Sequence, residues 1–266
     1  MNAQSFIIKP LLIILLTCLA ASASASSKSD RAKERRWENQ IVDSLMVGDA
    51  VKLKADNVEF LALYAEPTTD KAKGAVIILH GIGAHPAWPD VIEPIRMQLP
   101  DHGWYTLSLQ MPVLGNEATD KDYPPLFPEV SGRIQAGVDF LKSHGINNIV
   151  ISGHSLGTTM ASCYLAKHRD PAVKVFASIS GGFGVPNDKL MDNNRNFTHM
   201  QGVRILDIYG GDDRKPVLNA VKARAKLMSK IHNANYRQIR VPGANHFYNN
   251  KQEYLVKLLN QELSRN

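Results

Sequence analysis

Cysteine is scarce in this sequence, where only Cys18 and Cys163 occur among 266 residues. Cys18 falls in an apolar leader that we expect to be removed, so the mature chain would retain Cys163 alone. A single thiol excludes an intramolecular disulfide, and the fold must be held together by its core. Cys163 lies within an apolar pattern. Because free cysteines are commonly buried, this pattern favours a packed core thiol over a nucleophile.

Long apolar runs are also lacking. The run near the start, from Leu11 to Ala21, falls short of the roughly 20 residues that a membrane-spanning helix needs. Lys9 precedes this run and small residues follow it, which is the layout of a secretory signal peptide. Two overlapping A-x-A sites predict cleavage after Ala23 or Ala25. We therefore predict a signal peptide over residues 1–25 and an exported, periplasmic or secreted bacterial protein that is soluble after cleavage.

A lipoprotein is the alternative interpretation of this leader. It would keep Cys18 as the acylated first residue of the mature chain. Thr17 is an unusual residue directly before such a cysteine, so the cleavable signal peptide is favoured.

Basic residues are not spread evenly along the chain, although the formal net charge is +6 and the pI is about 9.2. Much of the excess lies in SSKSDRAKERRW, which has five basic and two acidic residues. No basic stripe interleaved with aromatic residues occurs, so nucleic acid is not an expected partner. Residues 26–48 are predicted to form a basic N-terminal helix or linker, with helix from about Arg31 to Met46. Residues 28–36 could weakly contact an anionic membrane surface, although a solvated charge run is the simpler interpretation.

The rest of the chain, residues 49–266, is predicted to be one α/β domain. VKLKAD and VEFLALYAEP predict a hairpin that turns at Asp56-Asn57. Short apolar strands that end in glycine, such as GAVIILHG and INNIVISG, then alternate with helical patterns such as RIQAGVDFLKSHG. This alternation predicts a mostly parallel central sheet with helices on both faces. The segment GGFGVPNDKLMDNNRNFTHMQG is too short to form a large lid domain, so we expect an open site.

One loop, DKDYPPLFPEVS, contains three prolines and is predicted to be stiff and irregular. Such loops near strand ends often shape pockets. We expect its prolines and Phe127 to form one wall of the site, with a plain surface connection as the alternative.

Motifs for metals and nucleotides are absent from the sequence. It contains no histidine and carboxylate cluster with metal-ligand spacing, no phosphate-cradling glycine loop and no dinucleotide fingerprint. We therefore expect neither a metal nor a cofactor.

The sequence does contain GHSLG, which places Ser155 where the strand IVIS turns into the helix SLGTTMAS. This context is typical of a G-x-S-x-G nucleophile elbow, so Ser155 is predicted to be a nucleophile rather than a helix cap.

A serine nucleophile needs a histidine base and a carboxylate that orients it. The sequence has nine histidines, and position distinguishes His246, which lies in a loop between the last predicted strand and the last helix. The carboxylate should follow the strand VRILDIYGG, where Asp212 and Asp213 lie in a glycine-rich loop. Only one of these neighbours can face His246. Asp207, within the strand itself, is a weaker candidate.

Attack on a carbonyl group also requires N–H donors that stabilise the oxyanion. We predict the backbone amide of Leu156, directly after the nucleophile, and the amide of Ile82 in the loop after GAVIILH. His80 and His85 flank this loop, and a structural or substrate-contact role is more plausible for them than a role as a second base.

HGIG, GHSLG, YGGDD and GANH occur in this order, and through them the mature chain resembles the α/β-hydrolase superfamily over nearly all of its length. More narrowly, ILHGIGAHPAWPDVIEPIRMQLPDHGWYTLSLQMPVL and FPEVSGRIQAGVDFL are similar to an uncharacterised family of exported bacterial α/β-hydrolase-like proteins. The resemblance implies an α/β-hydrolase fold. It also implies that Asp213 is the acid, with Asp212 as the fallback, and that His246 is the base.

The function we expect is hydrolysis of a carboxylic or thio ester through Ser155, His246 and Asp213, with an acyl-enzyme intermediate. The substrate would be a small-molecule or lipid-like ester, and the oligomeric state stays open. Transfer of an acyl group to an envelope sugar or lipid acceptor is one alternative. A non-catalytic envelope binding protein that keeps the fold is the other, because a fold does not by itself choose a function.

Overall fold

The computed structural model describes residues 29–265. The predicted signal peptide and Cys18 lie outside the described residues. The described elements are, in chain order, α1 (Arg31–Asp43), β1 (Asp49–Ala55), β2 (Val58–Ala65), β3 (Gly74–Leu79), α2 (Ile92–Gln98), β4 (Trp104–Leu109), α3 (Phe127–Ser143), β5 (Ile149–His154), α4 (Leu156–Lys167), β6 (Val173–Ile179), α5 (Asn193–His199), β7 (Arg204–Gly210), α6 (Lys215–Lys230), β8 (Tyr236–Val241) and α7 (Gln252–Leu263). Short 3-10 helices occupy Leu99–His102, Asp120–Asp122 and Pro124–Leu126.

The strands form one sheet in the order β1-β2-β4-β3-β5-β6-β7-β8. β2 is antiparallel to both of its neighbours, β1 and β4. Every other pair is parallel. The predicted mostly parallel sheet is therefore confirmed. Because parallel strands end at the same edge, the loops after β3, β4, β5, β6, β7 and β8 meet there.

Helices cover both faces of this sheet. All residues of β3 and β5 are buried. Ile77 and Leu79 of β3 pack in the layer that contains residues of α3, α4 and α5, whereas Val76 and Ile78 pack in the layer that contains residues of α2 and α7. Burial on both faces explains why these strands are continuous apolar runs instead of alternating patterns. Cys163 of α4 is buried in the first layer, as predicted for a core thiol, and burial raises the pKa of this thiol to about 11.

The predicted hairpin forms between β1 and β2. Ala55 pairs with Val58, so the turn consists of Asp56 and Asn57. Their φ angles are 45° and 65°. Left-handed backbone at both central residues is typical of a type I′ turn, which Asp and Asn tolerate better than most residues.

Helix α1 ends at Asp43, a few residues before the predicted end at Met46, whose side chain is 82% exposed. Its Ile41 packs against Leu61 and Leu63 of β2. The helix is therefore packed against the sheet and is not an extended linker.

The charges of the basic segment have two different environments. Lys33 and Glu34 are buried, whereas Arg35 and Arg36 are exposed. The prediction that these charged side chains are solvated is therefore correct for Arg35 and Arg36 and wrong for Lys33 and Glu34. Lys33 is satisfied because its ammonium group donates to the backbone oxygen of Leu114 and to Asn116 Oδ1, at 3.0 and 2.7 Å.

No large lid covers the carboxyl edge of the sheet in the part of the chain that the structure describes. The segment between β6 and β7 contains one short helix, α5, which packs on α4. Between residues 29 and 265, no helix is both long enough and apolar enough to cross a membrane.

Candidate active site

Ser155 occupies a strained turn between β5 and α4. Its φ and ψ angles are 55° and −118°, a backbone conformation that a non-glycine residue rarely adopts. The flanking glycines make this turn possible. A Cβ atom on Gly153 would lie 2.4 Å from the carbonyl oxygen of Gly157, and one on Gly157 would lie 2.2 Å from the carbonyl oxygen of Leu79. The strand, turn and helix predicted from GHSLG are therefore present, and they expose a serine at the carboxyl edge of the sheet.

The structure brings Ser155, His246 and Asp213 together. His246 lies in the loop after β8, and its Nε2 atom is 3.1 Å from Ser155 Oγ. Its Nδ1 atom is 2.8 Å from Asp213 Oδ1. With Nδ1 protonated, the histidine donates to the carboxylate and Nε2 can accept the proton of the serine hydroxyl. This is the hydrogen-bond chain that a serine nucleophile requires.

The Asp213 carboxylate is held by several donors. Burial alone would raise its pKa, but hydrogen bonds from His246 and Ser180 and from the backbone amide of Arg214 hold this pKa below its usual value. The Arg214 amide lies 2.7 Å from Asp213 Oδ1. Asp212, the fallback candidate, is exposed and takes no part in this hydrogen-bond chain.

Asp207, the weaker candidate for the acid, lies elsewhere. It is fully buried within β7 and forms an ion pair with Arg224, whose Nε and Nη2 atoms each lie 3.0 Å from the carboxylate. The Tyr236 hydroxyl donates to the same carboxylate at 2.7 Å. These contacts tie β7 to α6 and β8, so Asp207 belongs to a structural network.

Three residues that the sequence did not single out for the site surround the hydrogen-bond chain of Ser155, His246 and Asp213. The Ser180 hydroxyl donates to Asp213 Oδ2 and lies 3.3 Å from the hydroxyl of Tyr248. His154, buried next to the nucleophile, places its Nε2 atom 2.9 Å from the backbone oxygen of His246. Ser180 directly follows β6, so its place at the carboxyl edge of the sheet was the one signal available in the sequence.

The two predicted oxyanion donors lie beside the nucleophile. Leu156 begins α4, where the first backbone N–H groups have no partner within the helix. Ile82 lies in a turn in which the amide of Ala84 donates to the carbonyl oxygen of Gly81 at 3.3 Å. This turn adjoins the nucleophile, because a Cβ atom on Gly81 would lie 3.2 Å from the Cβ atom of Ser155.

The histidines near this loop have structural contacts. His80 is fully buried, and its Nε2 atom accepts from the amide of Met111 at 2.9 Å. His85 is half-buried and packs against the rings of Trp37 and Trp88. Burial lowers the pKa of His80 to about 3 and the pKa of His85 to about 4.

The free energy of unfolding should fall as the pH decreases from about 6.5 to about 4. Burial lowers the pKa of His154 to about 4 and that of His80 to about 3, from an ordinary value of 6.5. Below pH 6.5 the unfolded chain binds protons at these positions while the folded chain does not, so acid favours unfolding. Each histidine should contribute a slope that approaches about 1.4 kcal/mol per pH unit in the middle of this window and is smaller near pH 6.5.

Urea unfolding at several pH values tests this prediction. The urea midpoint should decrease steadily between about pH 6.5 and pH 4. His232→Gln, a change at an exposed histidine, should show the same decrease. A midpoint that stays constant or rises on acidification would contradict the neutral state of the two buried imidazoles.

A cavity of about 350 Å³ opens beside Ser155 and His246. Its other lining residues come from the loops at the carboxyl edge and from neighbouring helix starts: Asp120, Leu156, Thr159, Ser180, Gly182, Phe183, Gly184, Pro186, Arg214, Pro216 and Val217.

The prediction that the prolines of the loop DKDYPPLFPEVS and Phe127 form one wall of the site is wrong, although Asp120 of this loop does line the cavity. Phe127 is 1% exposed and is part of the hydrophobic core, because α3 begins at this residue and turns its side chain inward. Within residues 29–265, no group of three or more His, Cys, Asp or Glu side chains could hold a metal ion.

Solved structures share this fold. Est1E from Butyrivibrio proteoclasticus is 20% identical, with a TM-score of 0.58 over 80% of this chain and 97% of that protein. A dienelactone hydrolase from Anabaena variabilis is 19% identical, with a TM-score of 0.61 over 80% of this chain and 94% of that protein. XC6422 from Xanthomonas campestris, described as an α/β serine hydrolase without a lid, is 17% identical, with a TM-score of 0.62 over 81% of this chain and 93% of that protein. At these identities the likeness establishes the α/β-hydrolase fold.

Sequence comparison identifies the family. No curated protein matches the chain. The family model described as "Protein of unknown function (DUF3530)" matches residues 9–125 and 117–260. These two matches span most of the chain, including GHSLG and the loops that contain Asp213 and His246. The chain therefore belongs to the DUF3530 family, with an α/β-hydrolase fold.

Proposed function

We propose that this protein is a serine hydrolase that cleaves carboxylic or thio esters. The observation that carries the proposal is the continuous hydrogen-bond chain from Ser155 Oγ through His246 to the buried carboxylate of Asp213, with distances of 3.1 and 2.8 Å. Ordinary turn chemistry explains neither the strained backbone at Ser155 nor the burial of a carboxylate against a histidine ring.

In the first half of the reaction, Ser155 Oγ attacks the carbonyl carbon of the ester and His246 Nε2 takes the hydroxyl proton. The Asp213 carboxylate stabilises the resulting imidazolium and keeps the ring oriented. Negative charge develops on the former carbonyl oxygen, and the amides of Ile82 and Leu156 would donate to it. His246 then protonates the departing alcohol or thiol, which leaves an acyl group on Ser155.

In the second half, water takes the position of the departed alcohol. His246 Nε2 removes a proton from this water as its oxygen attacks the acyl carbon. The same two amides hold the second oxyanion, and collapse of the intermediate returns the proton to Ser155. The acid is released and the triad is restored.

The cavity is suited to a small or narrow ester. A volume of about 350 Å³ lies near the lower end of the range of ligand pockets. Phe183, Pro186, Pro216 and Val217 contribute apolar surface. A short acyl group, or the first part of a lipid-like chain, would fit against these residues.

The proposal includes export and places the reaction outside the cytoplasm. It rests on the signal-peptide pattern over residues 1–25. The proposal keeps a weak contact of residues 28–36 with an anionic membrane surface, and among the described residues of this range Arg35 and Arg36 are exposed on α1.

Labelling with a fluorophosphonate tests the proposal most directly, because this reagent reacts with activated serines. Intact mass should show one adduct on the purified mature protein and none on Ser155→Ala. A control change at a buried serine of the network around α5, Ser162→Ala, should leave labelling intact. A folded wild-type protein without an adduct would contradict the proposal and favour a non-catalytic binding protein.

A further inference from the structure

Helix α1 is attached to the domain through buried charges as well as through apolar contacts. Glu34 is 6% exposed, and its two carboxylate oxygens lie 3.1 and 2.8 Å from Nη2 of Arg133 on α3, which is 1% exposed. Arg31 of α1 also pairs with Glu34, at 3.0 Å, and Glu129 of α3 pairs with Arg133. Burying such charges contributes little net stability compared with apolar packing, but removing one partner leaves the other charge buried and unpaired.

Arg133 also contacts the backbone next to β4. Its Nη1 atom donates to the carbonyl oxygen of Gln110, the residue that follows β4. The next residue, Met111, donates its amide to Nε2 of His80 at 2.9 Å. A single guanidinium group therefore joins the carboxylate on α1 to the backbone segment that binds His80.

The position of the proton on His80 follows from these contacts. Because the Met111 amide is a donor, Nε2 of His80 must accept, and the neutral ring carries its proton on Nδ1. Nδ1 lies 2.9 Å from the carbonyl oxygen of Gly81 and donates to it. Burial lowers the pKa of His80 to about 3, which keeps the ring neutral and this arrangement intact at ordinary pH.

The Gly81 carbonyl and the Ile82 N–H belong to the same peptide plane. The Gly81 carbonyl accepts from His80 Nδ1 at 2.9 Å and from the Ala84 amide at 3.3 Å. A peptide plane is rigid, so the donors that fix the direction of the carbonyl also fix the direction of the N–H group. The Ile82 amide is one of the two donors proposed for the oxyanion, and no acceptor among the described residues occupies it. The orientation of this amide therefore depends on His80, and through Gln110 and Arg133 on Glu34 of α1.

We infer that α1 is a positioning element of the oxyanion loop, acting through Glu34, Arg133 and His80. The inference rests on the proposed function, because it concerns how the Ile82 amide is oriented toward the developing oxyanion. None of the three side chains is a catalytic residue, since none of them would touch the substrate or the reacting atoms. The N-terminal segment thus forms part of the catalytic unit and is not only a connection to the leader.

Glu34→Gln tests the inference because it removes the charge and keeps the shape. We expect kcat for p-nitrophenyl acetate to fall about tenfold, a fraction of the loss that follows complete removal of an oxyanion donor. KM and the pH midpoint of the reaction should stay unchanged, because the cavity and His246 are not altered. Turnover is expressed per site titrated with fluorophosphonate, so that unfolded protein does not contribute.

Glu38→Gln is the matched control. Glu38 lies on the same helix and pairs with Lys52 of β1, but it has no contact with Arg133. This variant should keep the wild-type kcat. Equal kcat values per titrated site in the two glutamine variants would overturn the inference while leaving the proposed hydrolase intact. An unlabelled wild-type protein would instead overturn the proposed function itself.

A double-mutant cycle tests whether Glu34 affects the Ile82 amide through His80. If Glu34 acts through His80, the variant that combines Glu34→Gln with His80→Asn should lose no more kcat than His80→Asn alone. If the double variant instead loses kcat by the product of the two single losses, Glu34 does not act through His80 and this part of the inference is overturned. If Glu34→Gln does not fold, Arg133→Lys takes its place in the same measurements, because lysine keeps the charge but lacks the planar fork that joins the carboxylate to the Gln110 carbonyl.

Discussion

Replacing Asp213 with asparagine should reduce kcat by roughly 10⁴-fold, the loss that follows when the orienting carboxylate of a Ser-His-Asp triad becomes an amide. In the structure, Asp213 Oδ1 accepts from His246 Nδ1 at 2.8 Å, and Oδ2 accepts from Ser180. Asparagine removes the negative charge that stabilises the imidazolium, whichever way its amide points. When its NH₂ group takes the Oδ1 position, the His246 ring must carry its proton on Nε2 and can no longer accept the proton of Ser155.

The neighbouring residue provides the control. Asp212 is exposed and outside the hydrogen-bond chain, so Asp212→Asn should leave kcat within about twofold of wild type, as expected for a surface change away from the site. Measuring kcat and KM for a short p-nitrophenyl ester with both variants decides between the two residues. Equal losses in the two variants, or a larger loss at Asp212, would contradict the assignment of Asp213. Circular dichroism and urea unfolding would show whether both variants keep the fold.

The choice between Asp212 and Asp213 also shows which part of the site the sequence does not determine. Chain order and strand ends place His246 and one of two aspartates at the same edge as Ser155, because parallel strands end together. Which aspartate faces His246 depends on how the loop turns after Gly210, where the Asp213 amide bonds back to the carbonyl oxygen of this glycine. The superfamily motif favours Asp213 and keeps Asp212 as the fallback, whereas the loop geometry places Asp213 against His246.

Contacts between residues that lie far apart in the sequence account for most of the features of the site and of α1 that the sequence does not predict. Ser180, Tyr248 and His154 are ordinary residue types, and their hydrogen bonds join positions that lie 33 to 92 residues apart. The burial of Glu34 depends on Arg133, 99 residues away. A local charge pattern therefore predicts a solvated segment, although the fold brings an oppositely charged partner to it.

The error at Phe127 has a different origin. From the sequence alone, the prolines near this aromatic residue predict an irregular pocket wall. In the structure, Pro128 occupies the first turn of α3, a position where proline is favoured because its missing N–H group would have no partner there. The prolines therefore mark the start of a helix, and the helix directs Phe127 into the core.

Replacing Ile82 with proline should reduce kcat by about 10²- to 10³-fold, the typical loss for one oxyanion donor. Ile82 is the second residue of a turn in which the Ala84 amide donates to the Gly81 carbonyl and Gly83 has a φ of 65°. Left-handed backbone at the third residue alone is typical of a type II turn, and proline is favoured at its second residue. The substitution should thus preserve the turn while it removes the N–H group, although it also exchanges the isoleucine side chain for the proline ring.

Ile82→Ala separates the amide from the side chain. Alanine keeps the N–H group and removes apolar atoms that pack against the core, so this variant should lose stability but retain kcat per fluorophosphonate-titrated site. Ile82→Ala should therefore keep kcat while Ile82→Pro loses it, even though both variants lose the isoleucine side chain and some stability. A proline variant that turns over at the wild-type rate would exclude the Ile82 amide as a donor and would leave Leu156 without its proposed partner. In that case the link from α1 to the oxyanion loop would also lose its effect on catalysis, because this link acts through the same peptide plane.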